Sequence, residues 1–174
     1  MKVMGVDGAL GSTGIAILNN GVVEQITKIR TAKVKKTPDE SSRLKQIADE
    51  FQTLLMFHNP DVVVMENQHV NKLNPKTSLG LARVRGVIQL VCALRNIPFC
   101  TLEPSEIKKQ VTGKGNANKE LVQEKIVELF QDQAIVQRVL SEIILSGKDK
   151  TDDMADALAI AYTYTSVPNA AVSA

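Results

Sequence analysis

Asp7, Glu66, Asp153 and Asp156 are the residues of this chain best placed to do chemistry together. Asp7 closes the apolar run Val3-Met4-Gly5-Val6, and Glu66 closes Val62-Val63-Val64-Met65. A strand that runs into a carboxylate carries that group to the rim of a sheet. Asp152-Asp153-Met154-Ala155-Asp156 opens the last helical stretch. Residues three or four apart share a helical face, so Asp156 can act with Asp153 or with Asp152, and spacing does not choose between them. Acids in a first turn also favour the helix dipole, but three in five residues exceed what capping needs. Carboxylates brought together repel one another unless a hard cation sits among them, and Mg²⁺ prefers oxygen ligands. Two such ions held by carboxylates can cut a phosphodiester by in-line attack of water.

The elements that must position these groups are legible. Lys2 to Val6, Gly14 to Leu18 and Val22 to Arg30 read as strands, with Asn19-Asn20-Gly21 a hairpin turn signal. A helix starts at Thr37-Pro38-Asp39-Glu40, keeps helical spacing through Leu55 and stops at Asn59-Pro60. Asp61 to Glu66 is a fourth strand, and its Val run predicts burial on both faces. A helix follows from about Thr77 to Asn96. Its apolar residues cover more than one face, which predicts cover beyond its own sheet, by a second chain through Leu81, Val84, Val87, Ile88 and Val91 or by another helical layer. Ile97 to Leu102 is a fifth strand. Helices are expected after Glu103, over Lys119 to Phe130, over Gln131 to Leu145, and from Asp152 to about Tyr164. One domain over 1–166 and a frayed tail over 167–174 complete the plan.

Composition narrows the function class. The chain has 174 residues, net charge +2, 44% hydrophobic and 3% aromatic residues, as expected of one globular domain. No segment is expected to span a membrane, no signal peptide is read, and Cys92 and Cys100 lack metal spacing and read as buried thiols. A cytoplasmic protein is expected. Basic residues gather in three stretches: Lys28 to Lys45, Lys72 to Arg95 (with Arg83), and Lys108 to Lys119 (with Lys114). Basic segments around an acidic site suit a polyanion. Gly5-Val6-Asp7-Gly8 and Gly11-Ser12-Thr13-Gly14 invite comparison with the phosphate turn of actin-like ATPases and sugar kinases, but the chain is too short for two lobes and has no P-loop. These glycines read as room for a nucleic acid backbone or as the turn itself. His69, in the loop after Glu66, is placed to contact nucleic acid.

Taken together, Gly5-Val6-Asp7 with Thr13-Gly14, Met65-Glu66, the helix Leu81 to Val87, Ile107-Lys108 with Gly113, Gly115 and Lys119, and Asp153-Met154-Ala155-Asp156-Ala157-Leu158-Ala159-Ile160-Ala161 resemble the RuvC family of Holliday-junction resolvases, in order and over nearly the whole chain. The resemblance implies an α/β, RNase H-like fold with a mixed five-stranded sheet flanked by helices. It implies a homodimer that makes paired cuts in branched DNA, chiefly four-way junctions. It implies Asp7, Glu66, Asp153 and Asp156 as the ligands of two Mg²⁺ per site, with Mn²⁺ able to substitute. One ion would orient a water and the other the leaving oxygen, giving 5′-phosphate ends, and Lys108 and Lys119 would contact substrate. The alternatives are an RNase H-like nuclease acting on RNA or an RNA–DNA hybrid, and a junction-binding protein that does not cut. Two departures stand out. Gly8 stands where the family often has Pro, and His69 where it often has an aromatic. A divergent or phage-type member, governed by DNA structure more than by sequence, is the expectation that follows.

Overall fold

The computed structural model describes residues 1–31, 39–67, 75–141 and 152–166. Three antiparallel strands come first: β1 (Lys2–Gly8), β2 (Ser12–Asn19) and β3 (Val22–Arg30). The β2–β3 turn is Asn20-Gly21, both at positive φ (48° and 84°), the conformation Asn and Gly accept most readily. Helix α1 (Glu40–His58) follows, then β4 (Val62–Glu66), α2 (Pro75–Leu94) and β5 (Phe99–Leu102). Helix α3 (Pro104–Thr112), α4 (Lys119–Leu129), the short α5 (Ala134–Val136) with a π-helical turn at Gln137–Ser141, and α6 (Asp152–Ser166) complete the described chain. The sheet order is β3-β2-β1-β4-β5, with β1, β4 and β5 parallel. This is the mixed five-stranded sheet expected from the sequence.

Strand alternation divides the core into two layers. In β1, Met4 and Val6 face Ile47, Phe51 and Leu55 of α1 and Val84 and Ile88 of α2. Val3 faces the other way, toward α6, α3 and α4, and Gly5 and Asp7 share its side. In β4, Val62 and Val64 face α6, and so does the position of Glu66. The parallel register pairs Gly5 with Val64 and Val6 with Met65, so Asp7 and Glu66 come next along their strands, level with each other. Alternation and register thus aim two carboxylates to one side of one sheet edge.

Helix α6 completes that side by lying directly on β1 and β2. A Cβ added at Gly5 would stand 2.2 Å from the Ala157 carbonyl oxygen and 2.7 Å from the Ala161 nitrogen. At Gly14, paired with Asp7 across β1–β2, it would stand 1.9 Å from the Asp153 carbonyl oxygen. Ala157 and Ala161, one turn apart, keep the helix slim at the same surface, and both are buried. The glycines read from sequence as room for DNA or a turn are, at positions 5 and 14, room for the backbone of α6.

Helix α2 departs from two expectations. By length and composition it is apolar enough to cross a membrane, where none was expected. In the fold, Val84, Ile88, Val91 and Cys92 pack into the core, Arg83 pairs with Glu40 of α1, and Arg85 donates to Asn67. Val84, Ile88 and Val91, assigned from sequence to a partner-facing surface, are therefore committed to the chain's own core. The exposed apolar residues of α2 are Leu79, Leu90 and Leu94. The helix expected over Gln131 to Leu145 is interrupted, as Ala134–Val136 passes at once into the π-helical turn.

Because the α6 contact is backbone against backbone, side-chain adjustment cannot relieve an added methyl. Gly14→Ala should cost at least about 3 kcal/mol, the upper range for overpacking. Gly80→Ala, with nothing within 4 Å of the added Cβ, should be neutral or stabilising by up to about 1 kcal/mol. Urea unfolding of the two variants checks this, and equal stabilities would contradict the packing role of Gly14.

Candidate active site

A cleft of about 250 Å³ opens at the shared carboxyl ends of β1 and β4. Asp7, Glu66 and Asp156 line it with Lys108 of α3 and Lys119 of α4, over an apolar floor that includes Ile107, Val122 and Ile160. Asp153 is half-buried at the start of α6, close enough for its charge to act on Asp7. The four carboxylates singled out by sequence thus come from two strands and one helix to one place. The Asp152 side chain lies outside the described residues.

The two lysines arrive by helix geometry. Gly113, at φ 78°, ends α3, and Ala117 is buried in the turn beyond it. Asn118 then caps α4 by accepting the Leu121 N–H at 2.9 Å. Lys119 is the first residue of that helix, and its Nζ sits 2.8 Å from Asp156 Oδ2. Gln123, one turn later on the same face, donates to Asp156 Oδ1 at 3.3 Å. Lys119 and Gln123 thereby fix both oxygens of one carboxylate.

Burial and mutual repulsion raise the carboxyl groups. Asp7 is pushed up to about 7, first by burial, then by the charges of Asp156 and Asp153, with Lys119 opposing. Glu66 is raised by burial and by Asp156, against Lys108 and Lys119, with Glu103 adding further repulsion. Asp7 therefore keeps affinity for a proton far above the usual carboxylate range. Among the described residues no group of three acidic, His or Cys side chains is placed to hold a metal ion as the side chains stand. The donor set nonetheless fits a hard divalent cation, being all oxygen, anionic and partly desolvated. Such an ion would take the place of the proton on Asp7 and offset the repulsion.

The remaining sequence candidates fall elsewhere. Arg83 Nη1 donates to both carboxylate oxygens of Glu40 (2.5 and 2.6 Å) on the α1–α2 side, and Arg83 does not line the cleft. Lys114 follows the α3 cap, with its N–H donating to Thr112 Oγ1, and does not line the cleft either. His69 lies outside the described residues. Arg43, counted in a basic stretch, serves the fold instead: its Nη2 donates to the Leu10 carbonyl and its Nε to Thr31 Oγ1, both at 2.9 Å. Both cysteines are free and buried, as expected. Glu103, Asn67 and Gln123 were missed as neighbours of the site. Glu103-Pro104-Ser105-Glu106 was read only as a helix start. The i, i+4 spacing of Lys119 and Gln123 was the available signal for the glutamine.

Comparison with known proteins bears on the family and the fold. The family model described as "Crossover junction endodeoxyribonuclease RuvC" matches residues 3–164. Crossover junction endodeoxyribonuclease RuvC of Rhodococcus jostii is 36% identical over 167 residues, 92% of this chain and 79% of that protein. That of Carboxydothermus hydrogenoformans is 35% identical over 166 residues, 93% of this chain and 94% of that protein. Among solved structures, T. thermophilus RuvC in complex with Holliday junction substrate superposes with a TM-score of 0.76 at 19% identity, covering 95% of this chain and 93% of its own. The yeast mitochondrial Holliday junction resolvase superposes with a TM-score of 0.62 at 18% identity, covering 93% of this chain and 76% of its own.

The Asp7 shift has a sign that can be checked. Its folded value, about 7, lies above the ordinary 3.8, so folding takes up a proton between those pH values. The contribution of Asp7 therefore becomes more destabilising as pH rises through that window. With chelator present, Asp7→Asn should be more stable than the parent at pH 8, and its advantage should grow by roughly 2–3 kcal/mol between pH 5 and pH 8. Urea unfolding at the two pH values measures it; an advantage that shrinks would contradict the assignment.

Proposed function

Because the chain belongs to the RuvC family of crossover junction endodeoxyribonucleases, divalent-metal-dependent enzymes that resolve Holliday junctions, we propose that Asp7, Glu66, Asp153 and Asp156 hold its metal and that the cleft lined by Asp7, Glu66 and Asp156 is where DNA is cut. The observation that carries this reading is the convergence of Asp7, Glu66 and Asp156 with Lys108 and Lys119 in one cleft. The metal is Mg²⁺, two ions per site, with Mn²⁺ as a substitute. When bound, it supplies the charge that activates a water and stabilises the leaving 3′ oxygen, so that the products carry 5′ phosphates.

The chain's own groups do the rest. Asp7 lies on the central strand beside both β4 and α6 and would hold the metal from the middle of the donor set. Lys119 and Lys108 meet the phosphate backbone at the cleft and neutralise its charge. The apolar floor limits water around the reacting phosphate. A second copy of the chain docks on the exposed face of α2, around Leu79, Leu90 and Leu94, and supplies the second cut. A cytoplasmic setting, where recombining DNA is found, goes with this reading.

Cleavage of a synthetic four-way junction in Mg²⁺ tests the proposal. Asp7→Asn, Glu66→Gln, Asp153→Asn and Asp156→Asn should each lower the rate by more than roughly 100-fold, beyond the usual loss from outer-sphere changes at metal sites, while junction binding persists. Asp152→Asn should keep most activity. Cutting of an RNA–DNA hybrid in preference to the junction would reject the DNA assignment.

Sedimentation at micromolar concentration addresses the second copy. The parent should run as a dimer and Leu90→Glu as a folded monomer, since Leu90 is 58% exposed and its change does not disturb the core. A monomeric parent that makes paired cuts would leave α2 without this role.

A further inference from the structure

Glu66 and Lys108 face the cleft from different elements, β4 and α3, and something must fix the distance between them. Asn67, the residue after Glu66, leaves the strand on the opposite side. Its N–H donates to the Leu102 carbonyl at 2.7 Å, extending the β4–β5 pairing past Glu66. Its side-chain amide is held at both ends. Nδ2 donates to Glu103 Oε1 at 2.5 Å, and Oδ1 accepts from Arg85 Nη1 at 3.0 Å. Both bonds are part-buried and join the amide to groups that carry charge, the stronger class of hydrogen bond.

The three residues come from three elements. Arg85 belongs to α2, Asn67 follows β4, and Glu103 precedes α3. The Glu103 N–H donates to Glu106 Oε2 at 3.0 Å, within the capping box of α3, so a pull on Glu103 acts on the whole helix. That helix carries Ile107 and Lys108 into the cleft. The chain of bonds therefore ties the strand that ends in Glu66 to the helix that presents Lys108 and anchors both to α2.

We propose that Asn67 is a positioning residue for the cleavage reaction, held between Arg85 and Glu103 so that Glu66 and Lys108 keep the separation that metal and phosphate require. None of the three touches the reacting atoms in this account; Asn67 acts through Glu66, and Glu103 acts through α3. The inference rests on the proposed metal-dependent cleavage, but its test includes a measurement that needs no DNA.

The test compares Asn67→Ala, Glu103→Ala and Glu103→Gln with the parent. It reads three quantities: junction cleavage at saturating enzyme, junction affinity in chelator, and Mn²⁺ affinity of the DNA-free protein by electron paramagnetic resonance. Asn67→Ala should lose about 10–100-fold in cleavage rate and a comparable factor in Mn²⁺ affinity, the range for partners that orient metal ligands, with junction affinity unchanged. Glu103→Gln still accepts the Asn67 amide proton and should lose clearly less than Glu103→Ala. If Asn67→Ala does not fold, the Glu103 pair decides alone. Parental Mn²⁺ affinity and cleavage in folded Asn67→Ala, or equal losses in Glu103→Gln and Glu103→Ala, would overturn the positioning role. A parent protein that cuts no junction would instead remove the functional reading, and Mn²⁺ affinity would still decide for or against the chain of bonds.

Discussion

The fold depends most on the contact between the backbone of α6 and the bare Cα positions of Gly5 and Gly14. A helix against a sheet normally rides on side chains. Here two missing Cβ atoms and the small side chains of Ala157 and Ala161 let α6 settle onto β1 and β2, with carbonyl oxygens where side chains would otherwise be. The contact has a direct chemical consequence. Gly14 lies across from Asp7, and the Asp153 carbonyl lies over Gly14, so the same approach brings the start of α6 next to the end of β1. A helix lifted by one methyl group would carry Asp153 and Asp156 away from Asp7 and Glu66. Packing and the arrangement of carboxylates are therefore one constraint.

That arrangement is electrostatically unfavourable until something positive enters it. Burial raises Asp7 and Glu66, and the acids on α6 raise them further. Lys119 and Lys108 oppose the effect, and Lys119 reaches Asp156 directly. Two lysines against four carboxylates leave an excess of negative charge, which suits a doubly charged ion as the missing partner. The same lysines line the cleft beside the carboxylates and, on the proposed function, meet the phosphates of DNA. On the proposed function, the site has one region for cations and an adjoining one for phosphate, at the ends of β1 and β4 and the starts of α3, α4 and α6.

Much of this was legible in the sequence because the determinants are local. Val runs ending in an acid announce strands that end at a rim, Asn20-Gly21 announces a hairpin, and the Asp153–Asp156 spacing announces one helical face. The failures have a common cause: they concern contacts between distant segments. Gly5 and Gly14 look like loop glycines until α6, more than 130 residues later, is seen on top of them. Val84, Ile88 and Val91 look like candidates for an external surface until α1 and the sheet are placed against them. Arg83 and Arg43 look like members of basic stretches until Glu40, Leu10 and Thr31 are seen as their partners. A charge or an apolar stripe shows that a residue needs a partner without showing which one.

The central claim is that strand ends and the α6 approach build one divalent-cation site. Crystals of the protein grown with Mn²⁺ test it most directly, through the anomalous signal of the metal. The account expects density bounded by Asp7, Glu66, Asp153 and Asp156, with Lys119 moved from Asp156 toward solvent or phosphate. Manganese bound only elsewhere on the molecule, with the Lys119–Asp156 pair intact and no density among the four carboxylates, would contradict it.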